Sequence, residues 1–116
     1  PFAVEGTKGA GIISELEPYE GECIIRKIRM SAFMYTDLDL VLRTIGTDTL
    51  FVTGIQTPNC IRTTVFDACA LNYHVYLVKD AVAAKNQEIH QSNCLDMASI
   101  GVSMILTYEV GRILAS

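Results

Sequence analysis

Apolar and polar residues fall along this chain in short blocks whose period changes from segment to segment. Leu50, Phe51 and Val52 form a continuous apolar run, bounded by Thr49 and Thr53 and closed by Gly54. That is the pattern of a buried strand. A turn over residues 55–58 follows. Asn59, a good helix N-cap, then opens a segment through 71 in which Ile61, Val65, Ala68, Cys69 and Leu71 share one face. Residues 74–78 (His-Val-Tyr-Leu-Val) repeat the buried-strand pattern, and 79–84 read as the loop at its end. A helix is predicted over 86–100, carrying Ile89, Leu95, Met97 and Ile100, with Gly101 as its stop. A last strand over 102–106 and a short helix over 108–114 complete the chain. Upstream, Thr36 is the N-cap of a helix over 37–45. Its Leu38, Val41, Leu42 and Ile45 follow i, i+3, i+4, i+7 spacing, and Gly46 ends it. Asp37 and Asp39 sit in its first turn, where negative charge is favoured. Residues 22–27, apolar in the middle and charged at the exit, are predicted as a strand. Residues 18–21 form the turn before it, and 12–16 start a short helix or strand.

The sum is strand followed by helix four times over, with short connections. That pattern requires a parallel sheet covered by helices on both faces, an α/β three-layer architecture in one domain spanning residues 1–116. In such sheets ligands bind beyond the carboxyl ends of the strands. Lys27, residues 56–60 and residues 79–81 all fall at those ends.

Charge and cysteine usage narrow the function. The formal net charge is −4 with no basic run, which argues against nucleic acid as the main partner. No apolar run approaches the length of a membrane span. Cys23, Cys60, Cys69 and Cys94 are widely spaced, with no CxxC pair and no Cys/His cluster at zinc-ligand spacing. They read as reduced thiols of a cytoplasmic protein, and no metal ligand set is identified. Gly6-Thr7-Lys8-Gly9-Ala10-Gly11 superficially suggests a phosphate loop, but it lacks the terminal Gly-Lys-Ser/Thr and follows no strong strand, so it reads as a turn.

Cys60 carries the most chemistry. In the first turn of a helix that follows a buried strand, unpaired N–H groups and the helix dipole favour a thiolate nucleophile. The competing reading is a small buried hydrophobe, the usual state of a free Cys. Lys27 likewise reads either as a solvated lysine at a strand end or as a cation held beside a reactive group. Thr57 and Asn59 shape the turn and cap the helix. His74 begins a strand and His90 lies mid-helix, neither placed as a base for Cys60.

Taken together, Lys27-x-Arg29-x-Ser31-Ala32-Phe33-x-x-Thr36-Asp37-Leu38, Thr53-Gly54-Ile55-x-Thr57-x-x-Cys60, Asp67-Ala68 and Asp80-Ala81 resemble the isochorismatase-like cysteine hydrolases. That superfamily includes nicotinamidase, N-carbamoylsarcosine amidase and ureidoacrylate amidohydrolase. The resemblance runs from Glu5-Gly6-Thr7 through the last strand.

What the resemblance implies is an Asp–Lys–Cys triad with Cys60 as nucleophile and Lys27 as its lysine. It also implies a cis peptide at Ile55–Gln56 and an oxyanion hole made by the backbone N–H groups of Gln56 and Cys60. Phe33 and Thr57 become candidate contacts to a small amide or ureido substrate, which would be hydrolysed through a thioester. The triad Asp matches no carboxylate present: it would end a first strand ahead of this chain. The resemblance therefore implies a protein of about 170–200 residues, of which this is the C-terminal two-thirds. A missing segment or a partner subunit would cover the incomplete sheet, and a homo-oligomer is expected. The metal ligands of nicotinamidases would also lie outside this chain. The alternative is a catalytically silent binding or interaction protein on the same fold.

Overall fold

The computed structural model describes residues 14–115. The glycine-rich opening and the turn expected within it lie outside the described residues, as does the start of the 12–16 element. Ser14–Leu16 is a single 3₁₀ turn.

Three strands form one parallel sheet in the order β1 (Thr49–Ile55), β2 (His74–Ala83), β3 (Ser103–Ile105). Thr49 to Val52 pair with His74 to Leu77 in register. On the other side Tyr76, Leu77 and Val78 pair with Ser103, Met104 and Ile105. β2 is thus the central strand, and its Val75, Leu77 and Val78 are buried. The helices are α1 (Leu38–Thr44), α2 (Arg62–Ala70), α3 (Gln87–Ser99) and α4 (Thr107–Ala115). Val65 and Ala68 of α2 and Met97 of α3 are fully buried and meet Tyr73, Val75, Leu77, Val82 and Val102 in one core. The α/β class expected from the pattern is the observed one.

Four expectations are corrected. Residues 22–27 join no ladder among the described residues, because a strand needs a neighbour's N–H and C=O groups and none is presented to this segment. Residues 79–83 are not a loop. β2 detours after Leu77 and resumes pairing at Gly54–Val82 and Ile55–Ala83, so two steps along β1 match five along β2. Residues 50–52 are half-buried, because β1 is the edge strand of the observed sheet. Ile89, Leu95 and Ile100 of α3 are exposed, leaving Met97 as the helix's anchor to the core.

The predicted stops hold where backbone chemistry dictates them. Gly46 and Gly101 take φ of +82° and +98° just past α1 and α3, a conformation that costs other residues a Cβ clash. Asn86 caps α3, its Oδ1 accepting from the N–H groups of Glu88 (2.8 Å) and Ile89 (3.1 Å). Thr36 is one residue short of the observed N-cap, Asp37, although its Oγ1 accepts from Leu38 N–H at 3.3 Å.

Candidate active site

β1 ends at Ile55, the Ile55–Gln56 peptide is cis, and residues Thr57–Ile61 then make a π turn that runs into α2. Asn59 is therefore inside the turn rather than an N-cap. The turn starts at Gln56, whose carbonyl accepts from Asn59 N–H (3.1 Å) and Ile61 N–H (3.2 Å). The wider turn places Cys60 ahead of the first α-helical residue, Arg62, close to where the thiol was expected.

Lys27 meets it there. Its Nζ lies 3.3 Å from Cys60 Sγ, 3.0 Å from the Arg29 carbonyl and 3.2 Å from the Met30 carbonyl. An ammonium has three protons to donate, and these are three acceptors. The two carbonyls belong to the loop that the lysine itself opens, so the side chain is folded back and aimed rather than free in solvent.

That loop is fastened to α2. Ala32 N–H donates to Thr64 Oγ1 at 3.0 Å, and the Ala32 carbonyl accepts from Thr36 Oγ1 at 2.6 Å. Ser31 is buried and its Oγ accepts from Phe33 N–H. Phe33 is half-buried against the core, with its ring centroid 5.8 Å from that of Tyr73.

The turn is fastened to α3 at two points flanking Cys60. Thr57 is fully buried, with Oγ1 2.8 Å from His90 Nδ1. Arg62 donates to Asn93 Oδ1 (2.9 Å) and Asp96 Oδ2 (2.7 Å), and its guanidinium lies 4.9 Å from the Phe66 ring centroid. Thr57 therefore has no free surface to offer a ligand. Arg62 and Thr64 were not singled out from the sequence, and His90 was weighed only as a base for Cys60. The only trace of them is a polar His and Asn three residues apart on one face of α3.

Several carboxylates are already engaged elsewhere. Asp39 accepts from Tyr73 Oη, Asp96 from Arg62, Asp48 from Thr49, and Asp80 from both the N–H and the hydroxyl of Thr107. The Thr107 hydroxyl bond, reinforced by its amide, holds the Asp80 carboxyl below its ordinary range. Burial pushes the Cys69 and Cys94 thiols up, and Cys23 is exposed.

Two surface grooves flank these elements. One, of about 510 Å³, lies between the Lys27 loop and α2, with Arg29, Arg62 and Asp67 among its walls. The other, of about 760 Å³, runs between the end of β2 and α3. Neither is lined by Lys27 or Cys60. Among the described residues no group of three or more His, Cys, Asp or Glu side chains could hold a metal ion. No helix among them is long and apolar enough to cross a membrane.

A lysine and a cysteine thus meet beyond the edge strand of a parallel α/β sheet, and comparison with known proteins places the chain. The Isochorismatase domain family matches residues 1–109, and the chain belongs to that family. It is 46% identical over 114 residues to a probable inactive nicotinamidase of Arabidopsis thaliana, covering 97% of this chain and 58% of that protein. It is 31% identical over 96 residues to the maleamate amidohydrolase of Pseudomonas putida, covering 83% of this chain and 45% of that protein. A crystal structure of an isochorismatase family protein from Desulfovibrio vulgaris superposes with a TM-score of 0.90 at 45% identity. That match covers 96% of this chain and 58% of the other. The chain thus spans less than two-thirds of the length of these relatives.

Proposed function

We propose that this chain carries the nucleophile half of a cysteine-dependent hydrolase acting on a small amide or ureido substrate. The observation that carries the reading is Lys27 Nζ at 3.3 Å from Cys60 Sγ, held there by two carbonyls. That places a proton donor against the sulfur that would attack a carbonyl carbon. The N–H groups of Gln56, just ahead of the π turn, and of Cys60, within it, would receive the oxyanion. Collapse of the tetrahedral intermediate expels ammonia or an amine and leaves a thioester, which water hydrolyses to the acid and free thiol. The resemblance assigns the proton shuttle to an Asp upstream of Pro1, and the engaged Asp39, Asp48, Asp80 and Asp96 are poor substitutes. Phe33 remains the candidate wall for the substrate, and Thr57 does not.

The second reading, a silent binding protein on the same fold, is favoured by the name of the Arabidopsis relative, a probable inactive nicotinamidase. Iodoacetamide labelling of the full-length protein at neutral pH, mapped by mass spectrometry, separates the two. Cys60 is expected to label faster than exposed Cys23, which serves as the internal free-thiol reference. Equal rates at Cys60 and Cys23 would sink the enzyme reading. A panel of small amides and ureido compounds, with Cys60→Ala as control, then tests turnover. A fast-labelling Cys60 with no turnover on the panel favours the silent protein.

A further inference from the structure

From the bond between a buried threonine and a helix histidine, we infer that His90 is a positioning residue for the Cys60 turn, acting through Thr57. This rests on the reading of Cys60 as a reactive thiol. Thr57 is fully buried in the π turn, three residues before Cys60 and directly after Gln56. A buried hydroxyl needs a partner, and the partner is His90 Nδ1 at 2.8 Å, supplied by a different element, α3. Asn86 fixes the start of that helix, and Met97 roots it in the core. On the far side of Cys60 the Arg62 bonds to Asn93 and Asp96 tie the chain to the same helix. Residues 57 and 62 are therefore both pinned to α3, and Cys60 is carried on the short span between the pins.

The two pins differ in kind. Arg62 is a long side chain reaching partners near the surface, where geometry is loose and solvent competes. The Thr57–His90 bond is short and its threonine end is fully enclosed, so it sets where the turn's backbone lies. His90 Nε2 faces Cys94 Sγ at 3.8 Å, and the imidazole lies along the groove that Lys79 and Asp80 also line. His90 bonds to Thr57 and faces Cys94, not Cys60. Its effect reaches the thiol only through the placement of the peptides from Gln56 to Cys60.

The geometry makes one substitution pair decisive. An Asn side chain places its amide where Nδ1 stands, whereas a Gln side chain places it nearer Nε2. His90→Asn is therefore expected to keep Cys60 labelling by iodoacetamide within about twofold of wild type, whereas His90→Gln slows it about fivefold or more, the scale of one hydrogen bond. Thr57→Val is expected to slow labelling similarly and Thr57→Ser to preserve it. Where turnover is measurable, the impaired variants lose kcat with KM little changed. If the buried Thr57→Val protein does not fold, the His90 pair still decides. Fast wild-type Cys60 labelling that is equally fast in His90→Gln and Thr57→Val, with only Tm lowered, overturns the positioning role and leaves the nucleophile reading standing. A wild-type Cys60 no faster than Cys23 overturns both.

Discussion

The loop that carries Lys27 is tied to α2 by the bond from Ala32 N–H to Thr64 Oγ1, and removing that bond gives a sharp test. Thr64→Val keeps nearly the same side-chain shape on α2 but deletes the hydroxyl that accepts Ala32 N–H at 3.0 Å. The net worth of such a bond is about 1 kcal/mol, and a donor left unpaired costs about 1–3 kcal/mol, depending on how dry its surroundings are. Ala32 is half-buried, so water can partly replace the lost acceptor. The expected cost therefore sits at the low end, about 1–1.5 kcal/mol, or roughly a five- to tenfold change in the opening equilibrium of the loop. Phe33 stays packed against the core, so the loop loosens without detaching. Amide hydrogen exchange reads this directly. Ala32 is expected to exchange about five- to tenfold faster in Thr64→Val, while Leu77, deep in β2, changes far less when probed through local opening. Cys60 labelling should slow as Lys27 loses its fixed approach, and Thr64→Ser should restore both signals. Unchanged exchange at Ala32 would show that the bond is not made in solution. Equal acceleration at Ala32 and Leu77 would show that Thr64 matters only to global stability.

Other expectations follow from the core and from the end of β2. Leu77→Ala removes a fully buried side chain from the central strand and is expected to cost about 3–4 kcal/mol in denaturant unfolding; a loss below about 1.5 kcal/mol would contradict its place in the core. The Asp80 carboxyl titrates below its ordinary value because the Thr107 hydroxyl and amide donate to the ionised form. A depressed carboxylate adds stability that is complete above the unfolded value, about 3.9, and is lost as pH falls through the lower folded-state value. Acid unfolding curves for Asp80→Asn should therefore lack that part of the pH dependence, and identical curves below about pH 4 would refute it.

The elements whose pattern decides locally were legible in the sequence. Gly46, Gly101 and Asn86 mark helix ends because positive φ and N-cap chemistry depend on one residue and its immediate neighbours. Residues 22–27 misled because pairing is a property of the neighbour, not of the segment. The detour in β2 was hidden for the same reason: Lys79, Asp80 and Ala81 look like a loop until Val82 and Ala83 are seen paired with β1. Asn59 reads as a cap in any helix-start rule, but the chain enters α2 through a π turn that begins two residues earlier, at Thr57. At the site, Lys27 and Cys60 are 33 residues apart, and no local spacing rule joins them. Their meeting was expected only through the family resemblance. Thr57–His90 and Ala32–Thr64 stayed invisible because each is made between elements whose separate patterns carry no trace of the other.

The unequal step between β1 and β2 bears on how this architecture can vary. Because β3 pairs no further than Val78 while β1 resumes at Val82 and Ala83, β2 serves both neighbours below the detour and β1 alone above it. The extra residues act as a spacer that sets the height at which Ile55 leaves the sheet, and so the height of the Cys60 turn. Side chains alternate along a strand, so losing a single residue from the spacer would turn buried Val82 outward and swing Ala83 in. Length changes in residues 78–81 are therefore coupled to the placement of a thiol that none of those residues needs to touch.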